Sequence, residues 1–122
     1  LSYTKFEFGK AKLSAKSIKA GESVEISIPV ANKGAMAGAE VVQVYVKSLT
    51  NPNAPIKSLK AFSRVEINAG GKTTVKLKLA PDAFAYYKAE ADDLAIFAGK
   101  YQIMYGNSSR DSDLQVIDFE VK

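Results

Sequence analysis

The chain has 122 residues, 47% hydrophobic and 25% charged, a formal net charge of +4, and neither cysteine nor histidine. That length is one domain with enough bulk to bury a core. The missing side chains exclude disulfides, thiolate or imidazole metal sites, cysteine nucleophiles and any triad that uses imidazole as its base. No apolar run approaches the ~20 residues of a membrane-spanning helix, and no secretory leader pattern is present, so no membrane partner is expected.

The positive charge is unevenly placed. Residues 1–81 carry 13 basic and 5 acidic side chains, residues 82–122 carry 4 and 8. The excess is lysine spread singly along strand-like segments, with only Arg64 and Arg110 as arginines. Nucleic-acid footprints need clusters, and base or phosphate forks favour arginine, so a solvated face is the better reading and no nucleic acid is expected.

The dominant period along the chain is two. A first strand is expected around Lys5–Ser14. In "SVEISIPVAN", Val24, Ile26, Ile28 and Val30 share one face and Glu25, Ser27, Pro29 and Ala31 the other, a half-buried strand. Pro29 has no N–H for a ladder, so this strand is unpaired there on one side, at an edge or where its neighbour bends away. "AEVVQVYVKS" places Val42, Val44 and Val46 inward, with Val41, Gln43 and Tyr45 on a face too apolar for plain solvent, which predicts a central strand with a partly covered outer side.

In "LKAFSRVEI", Leu59, Val65 and Ile67 share a parity that Phe62 breaks, and a bulge near Ala61 is expected. Ala69-Gly70-Gly71 then predicts a hairpin into "TTVKLKLA", where Val75, Leu77 and Leu79 point inward and Lys76 and Lys78 blunt an edge. Pro81–Tyr87 supports one short helical turn, with Phe84 and Tyr87 as an i, i+3 apolar pair. "KYQIMYG" and "DLQVIDFEV" predict a final hairpin with a longer loop. The sum is an all-β chain: an antiparallel sandwich of the immunoglobulin/fibronectin III type with about seven strands, a single domain over residues 1–122.

Chemistry has few candidates. The loop "YGNSSRDSD" holds Asp111 and Asp113, but an acid/base pair needs carboxylates in unlike environments, and a hairpin tip in water gives both the same one. A Ca²⁺ site needs six to eight oxygens, which this loop lacks. Ser108 or Ser109 as nucleophile has only Lys100 or the aspartates as a base. Asn107-Ser108-Ser109 also matches the N-x-S glycosylation pattern. Glu90, Asp92 and Asp93 read as a solvated acidic loop. Tyr3, Phe6, Phe8, Tyr45, Tyr86, Tyr87, Phe97 and Tyr101 form the pool for a sugar platform, with core packing the stronger reading for rings at core parity and no tryptophan present. No catalytic, metal or cofactor-binding residue is assigned, and no cofactor is expected.

Four motifs in one order carry a resemblance: "LSYTKFEF", "ANKGAMAGAEVVQVYV", "LKAFSRVEINAGGKTTVKLKL" with "PDAFAYY", and "GKYQIMYGNSSRD". Together they resemble the fibronectin type III-like domain at the C-terminus of family 3 glycoside hydrolases. The resemblance implies a non-catalytic sandwich, a piece of a longer polypeptide whose catalytic domains act on β-glucosides, β-xylosides and related glycosides and carry all the catalytic carboxylates. The catalytic domains of the same polypeptide are then the expected partner, with the Asn51–Pro55 loop expected to be the one that reaches an active-site rim. Arg110 and Asp111 match the family's "GSSSRD"-like signature and are expected to pin their loop or to contact a neighbouring domain. A carbohydrate-binding module and a cell-surface adhesion or spacer domain are the alternatives. A periplasmic or secreted setting is expected rather than a cytoplasmic one. Ala61 where the family often has glycine, "GGK" at 70–72 and Lys88 are the departures.

Overall fold

The structure, a computed structural model, describes residues 5–52 and 54–122. Tyr3 and Asn53 lie outside the described residues. The strands are β1 (Phe6–Phe8), β2 (Lys12–Leu13), β3 (Ser17–Ile18), β4 (Val24–Asn32), β5 (Gly38–Ser48), β6 (Ser58–Ile67), β7 (Lys72–Leu79), β8 (Ala85–Lys88), β9 (Asp93–Ile96), β10 (Gly99–Gly106) and β11 (Gln115–Val121). The helical content described is two single 3₁₀ turns, Pro81–Phe84 and Asp111–Asp113.

Two sheets face each other. In the first, β4 runs between β1 and β2 on one side and β7 on the other; the second has the order β3-β11-β10-β5-β6, with only β3 parallel to its neighbour. The inward sets expected from alternation meet in the core: Val24, Ile26, Ile28, Val30, Val75 and Leu79 from one sheet, Val42, Val44, Val46, Tyr101, Ile103, Tyr105, Phe119 and Val121 from the other. Phe84 plugs one end, edge-on to Tyr101 at 5.0 Å and stacked on Phe119 at 5.4 Å. Aromatic pairs prefer these offset geometries.

The all-β sandwich agrees with the alternation, and the differences from expectation are local. The N-terminal strand is two pieces, because Gly9, Lys10 and Ala11 lie opposite only Ile28 and Pro29. Gly9 N–H donates to the Pro29 carbonyl at 2.8 Å, so the proline's ring nitrogen faces this strand too and has nothing to donate. The neighbour bends away there. Tyr105, reaching across the core from β10, repairs the gap: its hydroxyl accepts from the buried Ala11 N–H at 2.8 Å and lies 3.0 Å from both the Gly9 carbonyl and Gln115 Oε1, to either of which it can donate.

The Ala69–Gly71 turn is real, with Gly71 N–H donating to Asn68 O at 2.8 Å and Gly70 at φ 71°. Its positive third-position φ is the type II pattern. It does not close a hairpin, however, since β6 pairs with β5 and β7 with β4; the turn carries the chain from one sheet to the other. Each strand already has a partner whose inward face matches its own, so crossing buries both apolar faces. Asn32, fully buried, ties the sheets at this end by donating to Met36 O (2.8 Å) and Ile67 O (3.0 Å) and accepting from Gly34 N–H (2.9 Å).

The bulge falls where the broken parity placed it. Val44 faces Ala61 and Tyr45 faces Leu59, leaving Lys60 as the extra residue. The bulge turns Leu59 outward, onto the face of Phe62, instead of inward with Val65 and Ile67. The Pro81 turn stops at Phe84; Ala85–Lys88 pairs with Asp93–Ile96 in a separate hairpin, so Tyr87 faces Leu94 across the strands and not Phe84. The strand count exceeds seven for three reasons: the divided N-terminal segment, the short parallel strand β3 and the added β8–β9 hairpin.

Candidate functional site

The loop between β10 and β11 is held by its own polar groups. Ser108 Oγ donates to Asp113 Oδ2 at 3.1 Å and accepts from the Arg110 N–H at 3.1 Å, and the 3₁₀ turn closes with Leu114 N–H on Asp111 O. Asn107 Nδ2 donates to Glu40 Oε2 at 2.9 Å, which anchors the loop to the start of β5. Short polar side chains that bond neighbouring backbone are what such turns select.

The two residues singled out in this loop have different surroundings. Asp111 accepts a hydrogen bond from Lys57 Nζ at 2.5 Å, and this ammonium lies 5.6 Å from the centre of the Tyr45 ring. The hydrogen bond from Lys57, and then its charge, hold the Asp111 carboxyl below the usual aspartate range. A general acid at neutral pH needs the opposite shift. Arg110 is largely exposed, its Nε 3.9 Å from Asp113 Oδ2. Lys57 was not foreseen; its partner stands 54 residues away in sequence, and no local signal joins them.

A cleft of about 670 Å³ opens between the β5–β6 loop and the β8–β9 hairpin, lined by Asn51, Lys60, Tyr86, Tyr87, Glu90, Phe97 and their neighbours. Tyr86 stands edge-on to Phe97 at 6.3 Å, and its buried hydroxyl finds no hydrogen-bond partner among the described residues. Burial pushes the Tyr86 phenol up. Tyr87 donates to Asp92 Oδ1 at 2.7 Å, and Asp92 takes φ 48° at the hairpin turn, so part of the acidic segment is a tight turn. Of the described aromatic pool, Tyr45, Tyr86 and Tyr101 are buried and Phe6, Phe8 and Phe97 half-buried; Tyr86, Tyr87 and Phe97 line this cleft together, with Tyr87 its exposed ring. The alternation in "AYYK" and "DLAI" around the turn-forming "AEAD" was the available signal for this hairpin.

This sandwich, with its motifs in order, has clear counterparts. A family model described as a fibronectin type III-like domain matches residues 40–109, more than half of the chain. The chain belongs to the fibronectin type III-like domain family. Among relatives of this Fn3-like domain, a xylan 1,4-β-xylosidase of Xylanibacter ruminicola is 42% identical over 94% of the chain, and a thermostable β-glucosidase B of Acetivibrio thermocellus is 40% identical over 91%. The chain spans only 13% and 15% of those two proteins. Among solved structures, a β-glucosidase from Erythrobacter marinus superposes with TM-score 0.90 at 32% identity, covering all of this chain and 16% of the other. A β-glucosidase from Listeria innocua in complex with gluconolactone gives 0.89 at 34% over 99% of this chain and 16% of its own.

Proposed function

We propose that this Fn3-like domain is a non-catalytic accessory domain of a family 3 glycoside hydrolase, packing on the catalytic domains of the same polypeptide, in a parent enzyme that hydrolyses β-glucosides, β-xylosides or related glycosides. The observation that carries the reading is coverage: nearly all of this chain matches about one-seventh of proteins named as β-xylosidases and β-glucosidases. The chemistry within the domain agrees with it. Asp111 is ion-paired, Asp113 is occupied by Ser108, and both sit on one solvated turn instead of facing each other across a substrate-sized gap. A stable sandwich beside a catalytic body supplies packing area and position, not reacting groups.

The test is deletion in the full-length parent. The expected result is a lower melting temperature with reduced kcat/KM on an aryl β-glycoside, and unchanged stability and kinetics would overturn the proposal. Trimming the Asn51–Pro55 loop to a short Gly-Ser turn separates its part from the rest: a rise in KM at constant stability is the outcome for a loop at the active-site rim.

A second reading, glycan contact by the domain itself, is favoured by the cleft that gathers Tyr86, Tyr87 and Phe97. Apolar rings with a few convergent polar groups suit a sugar face. Titration calorimetry with gluco- and xylo-oligosaccharides tests it, the heat of binding disappearing in Tyr87→Ala; no heat with the unaltered protein rules it out.

A further inference from the structure

Of the large apolar side chains exposed among the described residues, Val41, Leu59, Phe62 and Val116 share one sheet face, while Met36, Leu49 and Ile56 lie in loops and Tyr87 and Leu94 on the β8–β9 hairpin. On the outer side of the five-stranded sheet, register aligns Leu59, Tyr45, Met104 and Val116 in one row across β6, β5, β10 and β11. The ends of the row, Leu59 and Val116, are 47% and 46% exposed, while Tyr45 and Met104 are buried in a small cluster with Leu114. In the next row stands Phe62, 67% exposed, opposite Gln43, with Val41 beyond it on the same face of β5.

The outer side of the other sheet is the reverse. Glu25, Ser27, Pro29 and Ala31 of β4 lie beside Lys78, Lys76, Thr74 and Lys72 of β7. An antiparallel sheet that faces water on one side alternates apolar-in and polar-out. The four-stranded sheet obeys that rule, whereas the five-stranded sheet breaks it along the Leu59–Val116 row and at Phe62 and Val41, its row of Lys47, Gln102 and Asp118 staying polar. The bulge at Lys60 contributes directly, because it turns Leu59 out beside Phe62, an arrangement of no benefit to a sheet that stays in water.

We infer that the outer face of β6, β5, β10 and β11 is the surface on which this domain docks to the rest of its own polypeptide, receiving an apolar patch of the adjoining domain on Leu59, Phe62 and Val116. This rests on the accessory-domain reading. One observation selects that occupant over a second copy of the chain. The matched proteins are longer by far, this chain being 13–16% of them, and a covalently tethered neighbour is present at high effective concentration. The flanks of the apolar row carry pairs of opposite charge, Lys57–Asp111 and Arg64–Glu66, giving the apolar centre and polar rim of a protein interface. Asp111 thereby joins the docking face by holding Lys57 against Tyr45.

The experiment uses the full-length protein that carries this chain. Phe62→Asp and Leu59→Asp are compared with Lys76→Glu, a control on the solvated sheet, by thermal unfolding and by limited proteolysis that follows release of the 13.1 kDa domain. Both face variants are expected to lower the melting temperature by roughly 2–4 °C or more and to speed release about tenfold, with Lys76→Glu neutral. Behaviour of Phe62→Asp indistinguishable from Lys76→Glu overturns the inference. A full-length dimer that Phe62→Asp converts to monomers, with domain release unchanged, assigns the face to a second copy and also overturns it. If deleting the domain destabilises the parent while Phe62→Asp does not, only the choice of face fails; if deletion is silent, the accessory reading itself fails.

Discussion

Asp111 shows how little a carboxylate's presence says about its use. Its hydrogen bond from Lys57 lowers its folded-state pKa, so the pair contributes stability above the ordinary aspartate value, about 3.9, and loses it as pH falls through the lower folded-state value. Carbon-13 titration of the Asp111 carboxyl should show a midpoint below that of an unpaired aspartate, moving back up in Lys57→Met and in high salt, which screens exposed pairs. Gly99 makes a different residue-scale case. It holds φ 141°, a region that L side chains rarely enter, and a Cβ there would collide with Thr50 Oγ1. Gly99→Ala should cost roughly 1–3 kcal/mol in urea unfolding. The glycine is plain in the sequence, but Thr50 becomes its neighbour only when β10 pairs beside the end of β5.

Elements were legible where a strand's own alternation decides its inward face. The inward sets of β4, β5, β7 and β10 follow the apolar period, and the bulge in β6 followed from one misplaced phenylalanine. Partnering was less legible. A glycine-rich turn looks the same whether it closes a hairpin or crosses between sheets, since the turn's local dihedrals do not encode which neighbour each strand meets. The break in the N-terminal strand was half legible: Pro29 announced a missing donor, but its repair by Tyr105 required a side chain 94 residues beyond Ala11. Tyr105→Phe removes the hydroxyl and leaves the buried Ala11 N–H unpaired, so a loss of about 1–3 kcal/mol is expected, with faster hydrogen exchange confined to residues near 9–11.

At the scale of the whole molecule, two unlike outer faces enclose one core, and Tyr101 reports on that core's integrity. Burial, with Tyr86 nearby as a smaller cause, pushes the Tyr101 phenol up to about 12, while an unfolded tyrosine ionises near 10. The folded state therefore keeps a proton that the unfolded state releases, and the stability this gives is complete below about pH 10 and declines as pH rises toward 12. Absorbance at 295 nm should show a late tyrosine class whose ionisation coincides with loss of sheet circular dichroism. In Tyr101→Phe that late class should shrink.

By itself the sequence determined the chemistry that is absent and the alternation that makes strands, because composition and period two are properties of the chain read locally. It also carried the motif order by which the family could be named. Only the tertiary structure decided which strands are neighbours, that Lys57 meets Asp111, that Tyr105 mends the gap opposite Pro29, and that Leu59 and Phe62 end on one exposed face. Those facts depend on packing two sheets so that every buried backbone donor finds an acceptor, a condition on the assembled molecule that no short window of residues contains.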